Sequence, residues 1–283
     1  MKRIFMLKGM LVMVCLVILM CCDGPDYGPV YVRVKSFTWD GTLYKAQYDG
    51  LGKLVKLKAS GRDITFMYDE SGKLYKATTR NTGEAVPLRV YEFAHGIFGI
   101  KEIRTFVRHD FSDGLLHLET IDKANYLTAT KLSSLLQQEV TDDGDTITVG
   151  FELDRKFMYA VDNVARIYVE PAFNEYTASA YDTKVNPFMM MAASVGNPAF
   201  FPIGRFVNFP VVEFNIPLVT VFSRNNPLKA KYEIVGAPSI TSNQTFTNTY
   251  SPEGLVTKIV WSSASSPTES RTFKFDYETA KRW

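Results

Sequence analysis

The segment Tyr48-Asp49-Gly50-Leu51-Gly52-Lys53-Leu54-Val55-Lys56 recurs 20 residues later as Tyr68-Asp69-Glu70-Ser71-Gly72-Lys73-Leu74-Tyr75-Lys76. A third copy, Tyr250-Ser251-Pro252-Glu253-Gly254-Leu255-Val256-Thr257-Lys258, stands near the C-terminus. The spacing has a local chemical meaning. Asp49 and Asp69 occupy the first position of a tight turn, where a side-chain oxygen can accept from turn backbone, and Gly52 and Gly72 occupy the fourth, the type I preference. In the third copy Ser251 takes the first position, Pro252 the second, where its fixed φ fits, and Gly254 the fourth. The Tyr before each turn and the apolar residue after each Gly can pack across the hairpin. Each copy is read as strand–turn–strand, with Tyr-Asp serving as a hairpin device and not as a binding signature.

Outward from these units, the chain alternates. Ile147, Val149, Phe151 and Leu153 share one face of 146–153; Phe273, Phe275 and Tyr277 oppose Thr272, Lys274 and Asp276; Ala230, Tyr232 and Ile234 oppose Lys229, Lys231 and Glu233. A period of two marks a half-buried strand with one wet face. Further strands are expected over 31–38, 42–48, 53–59, 62–68, 73–80, 88–94, 101–108, 115–121, 164–170, 175–181, 245–250 and 256–262. Their short connections call for antiparallel hairpins and not crossover helices. Helix signals are few. Leu132, Leu135 and Leu136 show i, i+3, i+4 spacing within Thr130–Glu139, with Thr130 or Ser133 as cap. Asn186-Pro187 sets a cap before an N1 proline, and Gly196 can end that helix. Residues 196–228 read as a long irregular connection with extended pieces such as Val211–Phe214. The expected fold is mainly β: an extended, curved antiparallel sheet built of these hairpins, open or partly closed, with one or two short helices.

The first residues carry a different signal. Lys2, Arg3 and Lys8 precede an apolar run from Met10 to Met20, long enough for a signal h-region and too short for a comfortable span. The run stops at Cys21-Cys22-Asp23. This resembles a bacterial lipoprotein signal, cut before a cysteine that then carries lipid. Cys22 is the favoured site because Leu19 stands three residues before it; Cys21, with Met20 beside it, is the alternative. The expected organisation is a signal peptide over 1–21, the lipidated Cys with a tether and first strand over 22–36, and one antiparallel β domain over 37–283. Residues 23–30 hold two Pro and two Gly and suit a tether. Asp23 and Asp26 resemble the surface-export signals of Bacteroidota-type lipoproteins.

The repeat units resemble YD repeats. With the lipoprotein signal, Asp182-Thr183-Lys184-Val185-Asn186-Pro187-Phe188, Ser223-Arg224-Asn225-Asn226-Pro227 and the Gly254–Lys258 hairpin followed by Phe273–Tyr277, the chain is similar to a group of uncharacterised Bacteroidota-type lipoproteins carrying a domain of unknown function made of YD-like hairpins. The resemblance implies an extended antiparallel sheet and a place in the cell envelope; with the lipoprotein signal the expected location is lipid-anchored at the outer membrane, with surface exposure one outcome that Asp23 and Asp26 suggest. It implies no catalytic residues.

The 283 residues are 46% hydrophobic and 22% charged, the balance of a globular protein. With 32 basic and 30 acidic residues, the charge is too even for holding a nucleic-acid backbone. Loss of 1–21 takes Lys2, Arg3 and Lys8 and no acid, leaving 29 basic and 30 acidic residues and a net charge of −1. Cys15 and Cys21 leave too, so the remaining domain has no internal disulfide, thiol nucleophile or Cys-ligated metal.

Sites of chemistry are scarce. His109 and His117 flank a turn at Asp113-Gly114 and could meet a metal with Asp110 or Glu119, but the spacing is not a recognised ligand pattern, and two surface His on a hairpin is the favoured reading. Asp142-Asp143-Gly144-Asp145 lacks the alternation and distal Glu of a calcium loop and reads as a hairpin turn. The common nucleophile, phosphate-loop and zinc signatures are absent. Glu119, Asp122, Asp154 and Glu170 qualify for glycan hydrolysis only by being acidic. Asp145-Thr146-Ile147 resembles a short O-glycosylation acceptor, which makes Thr146 a candidate, and Asn243-Gln244-Thr245 is a formal N-glycosylation sequon. Phe188, Met189, Met190 and Met191, with Phe200, Phe201 and Phe206, form an apolar set that either plugs an end of the sheet or lines a site for an apolar ligand. No cofactor, metal or nucleic acid is expected. The leading function is a membrane-anchored envelope lipoprotein acting as a non-enzymatic binding or structural module. Its partners are the membrane, another envelope protein, a glycan or an apolar ligand. A carrier for an apolar ligand and a glycan-active enzyme are the alternatives.

Overall fold

The computed structural model describes residues 32–39, 41–108, 115–142, 146–171, 174–199, 221–264 and 266–279. The compact unit Tyr31–Trp283 contains sixteen strands. They are β1 (Val32–Trp39), β2 (Thr42–Tyr48), β3 (Leu54–Ala59), β4 (Arg62–Tyr68), β5 (Leu74–Asn81), β6 (Arg89–His95), β7 (Ile100–Arg108) and β8 (Leu116–Thr128). The second half is β9 (Lys131–Asp142), β10 (Ile147–Ala160), β11 (Asn163–Glu170), β12 (Asn174–Val185), β13 (Asn225–Ile234), β14 (Ala237–Tyr250), β15 (Val256–Ser263) and β16 (Ser266–Thr279). Every strand pairs antiparallel with its sequence neighbour, and β16 returns to pair with β1, so the sheet is a closed barrel. The expected open or partly closed edge does not exist: Val32 faces Thr279 and Phe37 faces Phe275 across the seam. Closure satisfies both edges that an open sheet would leave unpaired.

One device repeats around the ring. Wherever an even strand turns into the next odd strand, its last Tyr or His pairs with the first inward residue of that strand, and one extra residue follows. Tyr48 pairs with Leu54, Tyr68 with Leu74, His95 with Ile100, Tyr126 with Leu132, Tyr159 with Val164, Tyr250 with Val256 and, across the seam, Tyr277 with Val34. The extra residues are Val55, Tyr75, Lys101, Ser133, Ala165, Thr257 and Lys35, each a one-residue bulge. Tyr181 opposite Pro227 is the eighth instance, with Leu228 as its extra residue. A bulge bends its strand and increases local twist, which is how a sheet is curved into a barrel.

The bulge shifts the face of the strand by one residue. Inward positions therefore run i, i+3, i+5 in place of i, i+2, i+4. Leu54, Leu57 and Ala59 follow this order, as do Ile100, Ile103 and Thr105, Val164, Ile167 and Val169, and Val256, Ile259 and Trp261. The same shift explains the failed helix over Thr130–Glu139, which is strand β9. Leu132 and Leu135 both face inward because the bulge at Ser133 lies between them, while Leu136 pairs with Lys123 and Asp154 on the outer wall. A bulged strand thus imitates the spacing of one helical face.

The two walls differ in polarity. Inward residues form one apolar cluster that includes Phe37, Trp39, Phe66, Tyr91, Phe157, Phe246, Trp261, Phe273 and Phe275. Many outward positions are charged. Lys56 meets Asp63 at 2.6 Å, Lys76 meets Glu92 at 4.0 Å, Lys156 meets Glu170 at 2.8 Å, Arg33 meets Glu278 at 2.7 Å, and Arg166 meets Glu175.

Sixteen strands enclose more space than their own side chains can fill. Part of the chain fills it. Between β12 and β13 the short helix α1 (Pro187–Ser194) is packed against the inner wall. Asn186 caps it, accepting from Phe188 N at 3.0 Å, and Gly196, at φ +73°, follows its end. Phe188 lies edge-on to Trp39 and Phe275, both with ring centroids at 5.5 Å. Phe222, on the returning segment, packs on Phe157 at 4.8 Å.

Candidate functional site

The strongest candidate for function is the barrel end that carries the even-to-odd turns, the helix root and both termini of the sheet. Its turns are tightly specified. In the first unit Gly52 N donates to Asp49 O at 3.1 Å, and Leu51 N and Lys53 N donate to the Asp49 carboxylate at 2.9 and 2.8 Å. In the second, Gly72 N donates to Asp69 O at 2.9 Å, and Lys73 N and Ser71 Oγ donate to the Asp69 carboxylate at 2.9 and 2.7 Å. These bonds, the Lys73 amide first, hold the Asp69 carboxyl below its ordinary range. In the third, Gly254 N donates to Ser251 O at 2.9 Å and Leu255 N to Ser251 Oγ at 3.3 Å, with Pro252 between. Gly72 sits at φ +78°, and Lys53 Nζ donates to its carbonyl at 2.8 Å; a Cβ there would lie 2.1 Å from that amine. One repeat thereby locks onto the next.

Above the turns runs a belt of ring-to-backbone bonds. Tyr48 Oη donates to Val34 O at 2.6 Å, Tyr68 to Leu54 O at 2.7 Å, Tyr126 to Ile100 O at 2.7 Å and Tyr277 to Val256 O at 2.6 Å. His95 Nε2 donates to Leu74 O at 2.7 Å, Tyr181 to Val164 O at 2.5 Å, and Tyr159 Oη accepts from Leu132 N at 3.1 Å. Each ring reaches from the end of one even strand to the start of the odd strand before it. Because that odd strand begins opposite the preceding Tyr, the links join into a circuit. Burial pushes the phenols up, Tyr159 and Tyr181 to about 12, so the belt tyrosines stay protonated donors or acceptors at neutral pH.

The circuit changes at β13, where the chain enters and leaves the lumen. Tyr250 Oη donates there to Asp182 Oδ2 at 2.6 Å, and Asn226 donates to the same carboxylate through its backbone N at 3.1 Å and through Nδ2. Asn225 Nδ2 donates to Lys184 O at 3.0 Å. Asn186 N donates to Arg224 O at 2.8 Å and Asn186 Nδ2 to Ser223 O at 3.1 Å. The two motifs around Asp182–Phe188 and Ser223–Pro227 therefore clasp each other at the root of the inserted segment. Asp162, in the β10–β11 turn, accepts from Lys131 at 3.0 Å and Arg224 at 2.9 Å, which holds its carboxyl below the ordinary value. Deeper, Asn197 Oδ1 accepts from Tyr126 Oη at 3.1 Å and Ile100 N at 3.4 Å, tying the insertion to the belt.

The lumen wall also holds a polar arc. Thr105 pairs with Thr120 and Asp122 with Gln137 across β7, β8 and β9, and Arg155 on β10 donates to Gln137 Oε1 at 3.3 Å. Eight strands around the ring from β7, β15 carries Trp261, and β14 beside it carries Gln244. The hydroxyls of Thr79, Thr105 and Thr120, Gln137 Nε2, Gln244 Oε1 and Trp261 Nε1 are buried without a hydrogen-bond partner.

The remaining candidates fall as follows. Phe188, Met189 and Met191 are buried in the helix against the wall, and Met190 is half-buried. Phe200, Phe201, Phe206, Val211–Phe214, His109 and the Cys21-Cys22 pair lie outside the described residues, as do Asp143-Gly144-Asp145. Thr146 is exposed at the start of β10. The four acids do not converge: Asp122 faces inward, Asp154 and Glu170 pair on the outer wall, and Glu119 is the extra residue of the β7–β8 register shift. Among the described residues no cluster of His, Cys, Asp and Glu could hold a metal. The belt itself escapes motif reading because its members share geometry and not turn sequence. The i, i+3, i+5 order of inward residues is the signal that finds all its units.

No family model matches the chain, and no curated protein matches it in sequence. Among solved structures it is similar to a porin-like protein from Bacteroides uniformis, at 13% identity over 88% of this chain and 97% of that one, with a TM-score of 0.51. A porin-like protein from Bacteroides vulgatus matches at 13% identity over 87% of this chain and 99% of that one, with a TM-score of 0.43. At such identity the first likeness is one of fold.

Proposed function

We propose that this is an envelope lipoprotein: a signal peptide over 1–21, lipid on Cys22 with Cys21 as the alternative, a short tether, and a closed barrel standing in water as a non-enzymatic structural or binding module. The observation that carries the reading is the polarity of the barrel. Its inner wall is mainly apolar, interrupted by one polar arc, and is packed by its own helix, and its outer wall bears paired charges. A lipid-facing barrel needs the reverse, since each lysine at the bilayer midplane costs about 2–4 kcal/mol. Lys56, Lys58, Lys76, Lys156 and Lys274 all stand on outward positions. The membrane partner is then reached through lipid on the N-terminal cysteine and not through the strands.

Metabolic labelling with a fatty acid tests the anchor. Label is expected on the full chain and on Cys21→Ala, and is lost in Cys22→Ala; label lost only in Cys21→Ala would move the site. Replacing residues 1–22 by a cleavable secretory leader should give a folded protein that needs no detergent. A product that stays folded only in detergent would refute a water-facing barrel.

A second reading, a module that binds a polar ligand in its lumen, is favoured by the six buried polar atoms that lack partners on inward strands. Trp261 reports on it: titration with soluble oligosaccharides should change its emission, and Gln244→Leu should abolish the change.

A further inference from the structure

We propose that the outer wall over β15, β16, β1, β2 and β3 binds a linear acidic polysaccharide, taking its repeated anionic groups on a band of lysines that have no carboxylate partner. This names a partner and a face for a binding module, and it does not depend on how the chain is anchored.

The first observation is a register that sets like charges against each other. Lys45 stands directly opposite Lys58 across β2 and β3, and Lys258 directly opposite Lys274 across β15 and β16. Like charges so placed destabilise a sheet. Elsewhere on the wall such pairs are relieved. Asp154 faces Glu170, and Lys156 bridges both, at 3.9 and 2.8 Å. Glu175 faces Glu233, and each has its own cation, Arg166 and Lys231. The two lysine pairs lack this relief: among the described residues none of the four amines forms an ion pair. Asp63, which faces Lys58 across β4, is taken by Lys56 at 2.6 Å, and Asp276 accepts from Ser36 Oγ at 2.7 Å.

The second observation is that both pairs belong to one band. β1 lies between them, with Ser36 beside Lys45 and Thr38 beside Lys274. Lys35, the bulge residue of β1, is exposed there, as are Lys45, Lys58 and Lys274. Four strand spacings and a two-residue offset along β1 make the line from Lys258 to Lys58 about 20 Å long. Lys35, Lys45, Lys56, Lys58, Lys258 and Lys274 against Asp63 and Asp276 give the band a net charge of +4, in a chain whose total is +2. Arg33 and Glu278 at its edge cancel.

Shape and composition choose the ligand. On a convex wall a small anion meets one or two solvated amines, whereas a chain of anions meets all of them and sums weak contacts. The outward residues of these five strands include no aromatic ring on which a base could stack, the means by which single-stranded nucleic acid is held. Thr38 and Thr272 instead offer hydroxyls to a sugar. A flat membrane touches a barrel along its axis, while these lysines run across the strands.

The test measures binding of the full chain, in mild detergent, to immobilised polygalacturonate, with neutral dextran as the blank. Binding is expected at low salt and should weaken as salt rises. Lys45→Gln with Lys274→Gln should weaken it about tenfold or more, because contacts on both sides of the seam are lost together. Lys101→Gln with Lys123→Gln removes the same charge from exposed lysines outside the band and should change binding less than about twofold. The first double variant also removes one member of each like-charge pair, so its Tm should not fall, which separates lost binding from lost fold. Absence of binding by the native chain, or equal weakening by the two double variants, would overturn the proposal. So would tighter binding to a single-stranded oligonucleotide or to phosphatidylglycerol vesicles, or loss of binding in Gln244→Leu, which would place the polymer in the lumen.

Discussion

Removing one hydroxyl from the belt tests whether it holds the barrel closed. Tyr68→Phe keeps the ring and its packing and deletes the bond to Leu54 O, 2.7 Å long, at a residue with no solvent exposure. The carbonyl loses its phenol donor where water has little access. A neutral bond contributes about 1 kcal/mol, and an acceptor left buried costs about 1–3 kcal/mol, so a loss of about 1–2 kcal/mol is expected. For a barrel of this size that lowers Tm by about 2–8 °C. Tyr75→Phe is the control: this ring is the bulge residue one position beyond Leu74 and is half-exposed on the outside, so its change should stay within about 0.5 kcal/mol. Urea unfolding of both variants provides the comparison. The belt predicts a further effect. Tyr48 pairs with Leu54, whose carbonyl takes Tyr68, so Tyr48→Phe with Tyr68→Phe should be non-additive, whereas Tyr48→Phe with Tyr181→Phe should add. Equal stability of Tyr68→Phe and Tyr75→Phe would refute the belt as a source of stability.

Three further outcomes are expected. Gly99→Ala would put a Cβ 2.4 Å from Asn197 Oδ1 and 2.9 Å from Tyr126 Oη; it should destabilise by about 1–3 kcal/mol, and by clearly less in an Asn197→Ala background, as measured by urea unfolding. Asp162 is held below its ordinary value of 3.8 by Lys131 and Arg224. Its contribution is therefore fully present above that value and lost as pH falls beneath it, so the stability gap between the native protein and Asp162→Asn should be flat from about pH 7 to 5 and close below about pH 4. The phenols of Tyr159 and Tyr181 are raised by burial from 10.0 to about 12, so their contribution is present below pH 10 and lost as pH rises through 12. Tyrosinate absorbance of the belt should then appear together with unfolding, and an independent titration near pH 10 in the folded barrel would contradict this.

The strands were largely legible in the sequence, and the closure was not. Alternation around Phe273 and Ala230 marks half-buried strands because it reports which face is wet, a local property; around Ile147 it does not, because a register shift between Val149 and Glu152 breaks the expected shared face and leaves Ile147, Val149 and Phe151 exposed. Closure depends on β16 meeting β1, residues separated by almost the whole chain, and no local pattern encodes that pairing. The repeat was legible only where turn chemistry was uniform. Tyr48, Tyr68 and Tyr250 precede turns with Asp or Ser first and Gly fourth, whereas His95 precedes Gly96-Ile97-Phe98-Gly99 and Tyr159 precedes the tight turn at Val161-Asp162. Different loops can join the same bulged pair, so the conserved element is the ring bond and the register shift. The helix read into Thr130–Glu139 failed for the same reason. Of the candidate site, the Asn186 cap and the helix after it were visible, but the clasp between Asp182 and Asn226 joins residues 44 apart and needs the barrel to bring them together.

The inserted helix and the belt answer one geometric problem. A sixteen-strand barrel with a polar interior would hold water, as pores do. This wall faces inward with Phe, Trp and Leu, and a wide apolar lumen filled with water would expose the surface that folding should remove. The insertion between β12 and β13 supplies Phe188, Met189, Met191 and Phe222 to that lumen. It must also enter and leave through the ring without opening it. At that place the belt exchanges its backbone acceptor for Asp182, and the chain crossing is closed by Asn186, Ser223, Arg224 and Asn226. The polarity of the outer wall follows from the same arrangement. Once most apolar faces are used inside, the strands offer mainly charged and polar faces outside, with single apolar residues such as Leu136, Tyr75 and Met158 among them.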